Sequence, residues 1–264
     1  MTRNPAEIDR LIAIAEAAVD LAGAVIRPFF RAGLDADLKD DLSPVTVADR
    51  RAEQAMRAML AQHWPDHGVL GEEFGAERPD ARWRWVLDPI DGTRAFLTGR
   101  PVFATLVGLL DGDESILGII DQPITGERWI GAAGRSTVFR GGLGGKIGCR
   151  ARENLAAAEL SCTSPEMFVP EALAAFQRLA AGTRRTSHGG DGYAYGLLAL
   201  GQIDVIAEAG LKIWDWTALI PIIEGAGGRI TDWSGKPLTP GSDGRVLAVG
   251  DAALLAPALA LLAG

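Results

Sequence analysis

The sequence predicts an α+β protein in which helices and strands lie in layers, and three observations support this fold class. A long amphipathic helix opens the chain. Short apolar runs joined by turn residues follow between residues 85 and 131, which is typical of an antiparallel meander. Strands and helices then alternate after residue 150.

The first predicted helix begins at Asn4, whose side chain can cap it, with Pro5 in the first turn. Apolar residues then recur at helical spacing, and Gly33 is predicted to end the helix. A polar, acidic loop is expected over residues 34–44. A second helix follows over residues 48–62.

The meander is predicted to contain four strands, which cover residues 85–87, 104–110, 116–120 and 128–131. Pro89 has no N–H to donate, so we expect the first of these strands to end at Asp88. A glycine-rich segment over residues 141–148 marks the predicted boundary between an N-terminal half, 1–140, and a C-terminal half, 141–264.

The C-terminal half is predicted to alternate five strands with four helices. The strands cover residues 159–163, 184–187, 203–208, 229–231 and 246–249, and the helices cover residues 170–181, 193–200, 216–224 and 252–262.

Charge and composition exclude several classes of function. The 264 residues include 26 Lys and Arg and 34 Asp and Glu, a formal net charge of −8, which argues against nucleic-acid binding through a basic surface. Two cysteines and three histidines are too few for a disulfide framework or a zinc centre of either residue type. No export signal or membrane-spanning segment is recognisable, so a cytoplasmic location is expected.

Two aspartates close to the end of a predicted buried strand are the first candidates for chemistry. Asp88 and Asp91 flank the carbonyl of Ile90, and carboxylate and carbonyl oxygens are the ligands that Mg²⁺ prefers. Gly92 permits close backbone approach, and amides at a helix start near Thr93 would face an anion. A structural alternative is that Asp91 merely caps a helix.

Two further acidic features point to the same chemistry. Glu72 and Glu73 follow a short apolar stretch, and Asp215 lies between two tryptophans at a predicted helix start. Adjacent acids at a buried strand end are unfavourable unless cations compensate their charge. The structural alternatives are a solvated turn for the glutamates and a helix cap for Asp215.

Taken together, the segments 71–73, 88–93 and 214–215 resemble the three signature elements of the inositol monophosphatase family of Mg²⁺-dependent phosphatases. Segments 45–49 and 224–228 extend the resemblance over nearly the whole chain. It implies a layered α/β/α/β/α sandwich, a homodimer, a small phosphate monoester as substrate and two or three Mg²⁺ ions per subunit.

The resemblance also implies a set of metal ligands. Glu72, Asp88 and the Ile90 carbonyl would hold the first ion, and Asp88, Asp91 and Asp215 the second. Glu72 would also contact a third, weaker ion.

Catalytic roles follow from the same resemblance. Thr93 and Glu72 would orient the attacking water, which the metal ions activate, and Asp49 would polarise Thr93. The amides of Gly92 and Thr93 would hold the phosphate.

The segments 91–103, 120–129, 163–168 and 189–198 resemble the branch of the family that hydrolyses L-histidinol phosphate, a step of histidine biosynthesis. This substrate carries an ammonium group and an imidazole, which extra carboxylates would favour. The residues expected to bind the substrate are Asp91, Gly92, Thr93, Arg94, Arg185, Asp191, Glu208 and Asp215. A helix cap at Asp191 and a solvated strand position at Arg185 are the structural alternatives.

Three other functions stay open at this point. The first is an inositol-1-phosphate phosphatase, and the second is a phosphatase of 3′-phosphoadenosine 5′-phosphate or one of broad specificity. The third is an inactive relative that only binds a ligand, which the presence of Thr93 and of every expected carboxylate disfavours.

Overall fold

The computed structural model describes residues 4–33, 37–38 and 44–264, and its N-terminal part contains two long helices. Helix α1 (Pro5–Ile26) is capped by Asn4, whose side chain accepts a hydrogen bond of 3.0 Å from the Ala6 amide. The predicted end at Gly33 is wrong, because Pro28 has no N–H for a helical hydrogen bond and a short 3-10 turn (Arg27–Phe29) follows instead.

Most of the predicted loop over residues 34–44 lies outside the described residues. The described part forms two short antiparallel strands, β1 (Asp37–Leu38) and β2 (Pro44–Val45). Helix α2 (Val47–His63) follows and packs against α1.

A seven-stranded sheet forms the centre of the N-terminal half. Its strands are β3 (Gly68–Gly71), β4 (Gly75–Glu77), β5 (Trp83–Asp91), β6 (Ala104–Asp111), β7 (Glu114–Gln122), β8 (Glu127–Ala132) and β9 (Val138–Arg140). Their order is β4-β3-β5-β6-β7-β8-β9, with β3 and β5 parallel and every other pair antiparallel. The predicted meander is confirmed as β5 to β8.

Strand β5 continues past the proline that was expected to end it. Asp88 pairs with Leu106 and Asp91 with Ala104, so the two residues between the aspartates face Thr105 alone in a β-bulge. The Thr105 hydroxyl donates a hydrogen bond of 2.8 Å to the Pro89 carbonyl. The bulge tolerates the missing N–H of proline, and helix α3 (Thr93–Leu97) begins directly afterwards.

A five-stranded sheet forms the C-terminal half. Its strands are β10 (Glu159–Cys162), β11 (Arg185–His188), β12 (Val205–Glu208), β13 (Arg229–Thr231) and β14 (Val246–Val249), in the order β11-β10-β12-β14-β13. The helices of this half are α4 (Pro170–Ala181), α5 (Asp191–Ala199), α6 (Ile213–Trp216), α7 (Leu219–Gly225) and α8 (Leu255–Ala263).

The two sheets alternate with three layers of helices. Helices α1 and α2 cover one face of the seven-stranded sheet, and α5, α6 and α7 cover the other. The same middle helices pack against one face of the five-stranded sheet, whose outer face is covered by α4 and α8. The chain is therefore an α/β/α/β/α sandwich, as the resemblance implied.

A row of three glycines lets the middle helices lie very close to the seven-stranded sheet. Gly108, Gly118 and Gly131 are neighbours across β6, β7 and β8. A Cβ atom on Gly118 would lie 1.9 Å from the carbonyl oxygen of Ala218, and one on Gly131 would lie 2.4 Å from the amide of Ile222. The absence of side chains on this row therefore sets how closely the segment after α6 approaches the sheet.

The segment predicted as one helix over residues 216–224 is divided into α6 and α7. Pro221 cannot donate a hydrogen bond to the Thr217 carbonyl, which instead accepts one of 2.7 Å from the Ser115 hydroxyl. Among the residues that the structure describes, none of the helices combines the length and the apolar character needed to cross a membrane.

Candidate active site

One large cavity lies where the end of β5, the turn between β3 and β4 and the starts of α3, α5 and α6 meet. Its volume is about 810 Å³. The predicted site residues that line it are Glu72, Gly92, Thr93, Arg94, Asp191 and Asp215. The structure thus brings together residues from both halves of the chain.

The bulge in β5 places two aspartates beside a third from α6. Asp88 is buried, and its Oδ1 accepts a hydrogen bond of 3.1 Å from the Ile90 amide. Asp88, Asp91 and Asp215 each offer a carboxylate oxygen, and these three oxygens lie within 4.8 Å of one another. Three hard oxygen ligands at this separation could hold a metal ion.

Electrostatics in the cluster favour a bound cation. Burial and then the neighbouring carboxylates raise the pKa of Asp88 and of Asp91 well above the ordinary range of aspartate. Burial also raises the pKa of Asp215 to about 7. The negative charges of Glu72, Asp91 and Asp215 repel that of Asp88, and a proton or a bound cation would relieve this repulsion. The donor set therefore fits a divalent ion such as Mg²⁺.

Glu72 reaches the cluster from the turn that joins β3 to β4. Its amide donates a hydrogen bond of 3.2 Å to the Leu87 carbonyl on β5, so the turn is fixed to the strand that carries Asp88. The negative charge of Glu72 contributes to the raised pKa of Asp88 and of Asp215. Glu72 therefore extends the acidic cluster at the edge of the cavity.

Asp49 and Thr93 do not form the contact that the sequence led us to expect. Oδ2 of Asp49 accepts hydrogen bonds from the Thr46 amide (2.8 Å) and hydroxyl (2.5 Å), which makes Asp49 part of the capping box of α2. The Thr93 hydroxyl instead donates to the Ile90 carbonyl at 3.1 Å. Burial raises the pKa of Asp49 to about 6, and its Oδ1 has no hydrogen-bond partner among the described residues.

Two Asp-Gly pairs from opposite halves of the chain interlock at the site, and this arrangement is called the interlock below. The Gly192 amide donates a hydrogen bond to Oδ2 of Asp91, and a Cβ on Gly192 would lie 2.5 Å from that oxygen. Conversely, a Cβ on Gly92 would lie 2.8 Å from Oδ2 of Asp191. Each aspartate therefore occupies space that the other pair leaves free by having glycine.

The structure also decides whether Asp91 and Asp191 act as helix caps, the alternative role considered for each from the sequence. The caps of α3 and α5 are Gly92 and Gly190, both with a left-handed backbone, so neither aspartate is a helix cap. Asp191 itself has a φ of 42°, a strained conformation for a residue other than glycine. Asp215 does help to cap a helix: it is the third residue of α6, and its Oδ2 accepts a hydrogen bond of 2.7 Å from the amide of the N-cap residue Lys212, as Asp49 does in the capping box of α2.

A small acidic recess of about 80 Å³ opens beside the cluster, with Asp91, Asp191, Glu208 and Asp215 among its lining residues. Oε1 of Glu208 accepts a hydrogen bond of 2.6 Å from the Thr163 amide, whereas Oε2 is buried and has no partner among the described residues. Burial raises the pKa of Glu208 to about 8 and that of Asp191 to about 6. The recess is therefore lined by four acids, and one of them, Glu208, has a carboxylate oxygen without a partner among the described residues.

Several residues of this site could not be predicted from the sequence. Tyr195 lines the acidic recess, and its hydroxyl is buried and has no partner among the described residues. Arg100 and Lys212 line the large cavity. An aromatic residue in a helix is normally a packing residue, so the sequence gives no signal that Tyr195 lines a recess.

The two arginines expected at the substrate site differ in their positions. Arg94 lines the large cavity, and its positive charge opposes the rise in the pKa of Asp191. Arg185 is exposed on the edge strand β11 and forms an ion pair of 2.7 Å with Glu159. Arg185 is not among the described residues that line either cavity, because its side chain reaches along the sheet to Glu159.

Comparison with known proteins gives consistent results. The chain is 49% identical over 232 residues to a chloroplastic bifunctional phosphatase of Arabidopsis thaliana, a match that covers 87% of this chain and 66% of that protein. It is 36% identical over 231 residues to a histidinol-phosphatase of Mycobacterium tuberculosis, covering 86% of this chain and 88% of that one.

Among solved structures, an inositol monophosphatase from Zymomonas mobilis superimposes with a TM-score of 0.89 and 49% sequence identity, over 99% of this chain and 100% of that chain. The model of the inositol monophosphatase family matches residues 7–262. Together with the fold and the acidic cluster, these matches establish that the chain belongs to the inositol monophosphatase family of phosphatases.

Proposed function

We propose that this chain is a Mg²⁺-dependent phosphomonoesterase whose preferred substrate is L-histidinol phosphate. The observation that carries the proposal is the position of the acidic recess directly beside the cluster of Asp88, Asp91 and Asp215. Such a site has one part that suits metal ions and a phosphoryl group, and another that suits a positively charged leaving group.

The carboxylates divide naturally into ligand sets. Glu72, Asp88 and the Ile90 carbonyl would hold one ion, Asp88, Asp91 and Asp215 would hold a second, and Glu72 would also contact a third. When bound, Mg²⁺ supplies the positive charge that neutralises phosphoryl oxygens, lowers the pKa of a water ligand and stabilises the leaving alkoxide. This charge also reverses the local sign, so that an acidic site attracts an anionic substrate.

Other groups of the chain would then bind and orient the reactants. The amides of Gly92 and Thr93 begin α3 before its first helical hydrogen bond, so they are available to phosphate oxygens. Glu72 and the Thr93 hydroxyl would hold the attacking water in line with the scissile P–O bond. Asp49, whose buried carboxylate belongs to the α2 capping box, would influence the cluster through its charge interaction with Glu72.

The acidic recess supports a cationic substrate over a neutral polyol. Glu208 and Asp191 have raised pKa values there because burial disfavours their charged forms. A bound ammonium group would stabilise those charged forms and would satisfy the unpartnered Oε2 of Glu208. The hydroxyl groups of inositol would bring no charge, so a polyol phosphate should gain less from the same residues. The 36% identity to the histidinol-phosphatase of Mycobacterium tuberculosis supports L-histidinol phosphate as the substrate.

Phosphate release from two substrates tests the proposal. We expect kcat/KM to be at least about tenfold higher for L-histidinol phosphate than for inositol 1-phosphate, a difference of roughly 1.4 kcal/mol in transition-state stabilisation. Both activities should disappear when a chelator removes Mg²⁺. A preference for inositol 1-phosphate would overturn the substrate assignment and would favour the activity named for the Zymomonas mobilis relative.

A variant of the metal cluster tests the metal-dependent mechanism separately from the substrate preference. Asp88→Asn removes a charge that both ligand sets share, so activity toward either substrate should fall by about a hundredfold or more. Thermal unfolding of the variant checks that the fold is retained. Near-normal turnover in a folded Asp88→Asn protein would contradict the metal-dependent mechanism.

A further inference from the structure

A buried glutamate on α2 contacts the turn that carries Glu72. Glu53 has no exposed surface. Its Oε2 accepts a hydrogen bond of 2.8 Å from the Glu73 amide, and its Oε1 accepts one of 3.3 Å from the Phe74 amide. One carboxylate therefore binds the two backbone amides that directly follow Glu72.

Two further contacts hold the same turn. Arg57, one helical turn after Glu53, donates a hydrogen bond of 2.7 Å to Oε1 of Glu53 and a second one to the Gly75 carbonyl. On the other side of Glu72, Gly71 leaves room for the carboxylate, because a Cβ there would lie 2.0 Å from Oε1 of Glu53. The turn is thus hydrogen-bonded to α2 after Glu72 and lies directly against the Glu53 carboxylate just before it.

The turn has little apolar packing of its own. Phe74 is about half exposed, and the three residues of β4 that follow are exposed as well. A buried carboxylate is costly unless charged and hydrogen-bonded partners compensate it, and Glu53 finds those partners in Arg57 and the turn amides. The contacts of Glu53 therefore fix the backbone directly after Glu72 relative to α2.

We propose that Glu53 is a positioning residue that holds Glu72 in the geometry required to bind a divalent cation. The inference rests on the proposed role of Glu72 as a metal ligand. It predicts that a change at Glu53 weakens metal binding although Glu53 does not touch the ion. Partners behind metal ligands commonly contribute about 10- to 100-fold to metal affinity.

The test is direct binding of Mn²⁺ to the full chain, followed by electron paramagnetic resonance, together with the Mg²⁺ concentration that gives half-maximal phosphatase activity. Glu53→Gln keeps the size of the side chain but replaces one acceptor oxygen with an NH₂ group. The variant therefore cannot accept hydrogen bonds from both the Glu73 and the Phe74 amide in the way that the carboxylate does. We expect Mn²⁺ affinity to fall at least about fivefold and the half-maximal Mg²⁺ concentration to rise by a similar factor. Unchanged Mn²⁺ affinity in the folded variant would overturn the inference.

Asp204 provides a matched control for the loss of a buried carboxylate. It has no exposed surface and accepts hydrogen bonds from Arg150 (2.6 Å), Arg152 (2.8 Å) and the Glu159 amide (2.8 Å), outside the two cavities of the site. Asp204→Asn should lower the Tm by an amount comparable to that of Glu53→Gln while leaving Mn²⁺ affinity unchanged. An equal loss of affinity in both variants would mean that general destabilisation explains the effect, and would overturn the inference.

A second variant covers the case in which Glu53→Gln fails to fold. Arg57→Lys keeps the positive charge beside Glu53 but loses the second guanidinium N–H group, which donates to the Gly75 carbonyl. The Mn²⁺ affinity should therefore fall by a smaller factor than in Glu53→Gln. Normal affinity in this variant would then count against the inference. If the wild-type chain binds Mn²⁺ and requires Mg²⁺ for activity while the variants match it, only the positioning role fails. If the wild-type chain binds no divalent cation, the proposed function fails as well.

Discussion

The carboxylates at this site have different surroundings. These surroundings decide whether the role of each carboxylate can be predicted from the sequence. Asp88, Asp91 and Asp215 belong to short motifs and are therefore visible in the sequence. Glu53 is not, because its partners lie about twenty residues away and its burial depends on tertiary packing. The hydrogen bond between Thr93 and the Ile90 carbonyl was also hidden, since both residues sit inside one motif that permits several arrangements.

Substitution of Glu208 measures the contribution of the acidic recess to specificity. Glu208→Gln removes a charge that a substrate ammonium group would pair with, and such charged hydrogen bonds contribute about 1.5–3 kcal/mol. The KM for L-histidinol phosphate should therefore rise by about tenfold or more, and that for inositol 1-phosphate by less than about threefold. Steady-state phosphate release with both substrates gives the two values.

Two comparisons accompany that measurement. Asp191→Asn should act in the same direction, because Asp191 lines the same recess. Glu159→Gln is the control, since its carboxylate pairs with exposed Arg185 outside both cavities. If Glu208→Gln and Asp191→Asn both leave the KM for L-histidinol phosphate unchanged, the recess does not select the substrate.

Three secondary-structure elements of the C-terminal half were predicted with their full bounds. The bounds of α4, β13 and β14 coincide with the predicted ranges. Prolines explain the errors in α1 and in the segment divided into α6 and α7, because each removes one helical hydrogen bond. The edge strands β4 and β9 were missed since they are three residues long and largely exposed, which leaves no apolar alternation to detect.

The close packing of α6 and α7 on the row of Gly108, Gly118 and Gly131 holds Asp215 at the active site. Gly118→Ala would place a methyl group 1.9 Å from the Ala218 carbonyl, so the segment just after Asp215 must move. We expect the free energy of unfolding to fall by about 1–3 kcal/mol, the usual effect of overpacking, and phosphatase activity to fall as Asp215 leaves its place. Chemical denaturation and activity assays measure the two effects.

Gly142→Ala is the matched control for that substitution. Apart from Gly142 itself and its two chain neighbours, no atom of the described residues lies within 4 Å of where its Cβ would be, and its backbone is not in the left-handed region. Stability and activity should therefore stay near those of the wild type. Equal behaviour of the two alanine variants would show that the glycine row does not limit the approach of the helices.

For the whole molecule, the concentration of acids at one site predicts how stability depends on pH. The pKa of Glu208 is raised to about 8, that of Asp215 to about 7 and that of Asp191 to about 6, from ordinary values of 4.5, 3.8 and 3.8. Each group binds a proton more tightly in the folded state, so its contribution to stability is complete below about pH 4. It is lost as the pH rises through 6 to 8.

The metal-free chain should therefore become less stable between pH 5 and pH 8.5, with a fall in Tm of about 5 °C or more. His67 acts in the opposite direction, because burial lowers its pKa, but it is one group against several. Saturating Mg²⁺ should reduce the fall, since a bound cation compensates the carboxylates. Thermal unfolding with a chelator and with Mg²⁺ measures this, and a metal-free Tm that rises with pH would contradict it.

At the same scale, the sequence was sufficient to predict the layered fold and the family. The homodimer, the cytoplasmic location and the division at residue 140 stay predictions. What the sequence could not reveal is how closely the layers pack. The row of Gly108, Gly118 and Gly131 is spread over three strands, and only the strand register brings these residues side by side.

Synthesis on the ribosome delivers the two sides of the interlock at different times. At typical elongation rates, Asp191 and Gly192 emerge about 5–20 s after Asp91 and Gly92. The face of the seven-stranded sheet around Leu106, Ile120 and Trp129 lacks its covering helices until α5, α6 and α7 have all emerged. The nascent chain therefore exposes this apolar face through that interval, and the active site is among the last parts of the molecule to form.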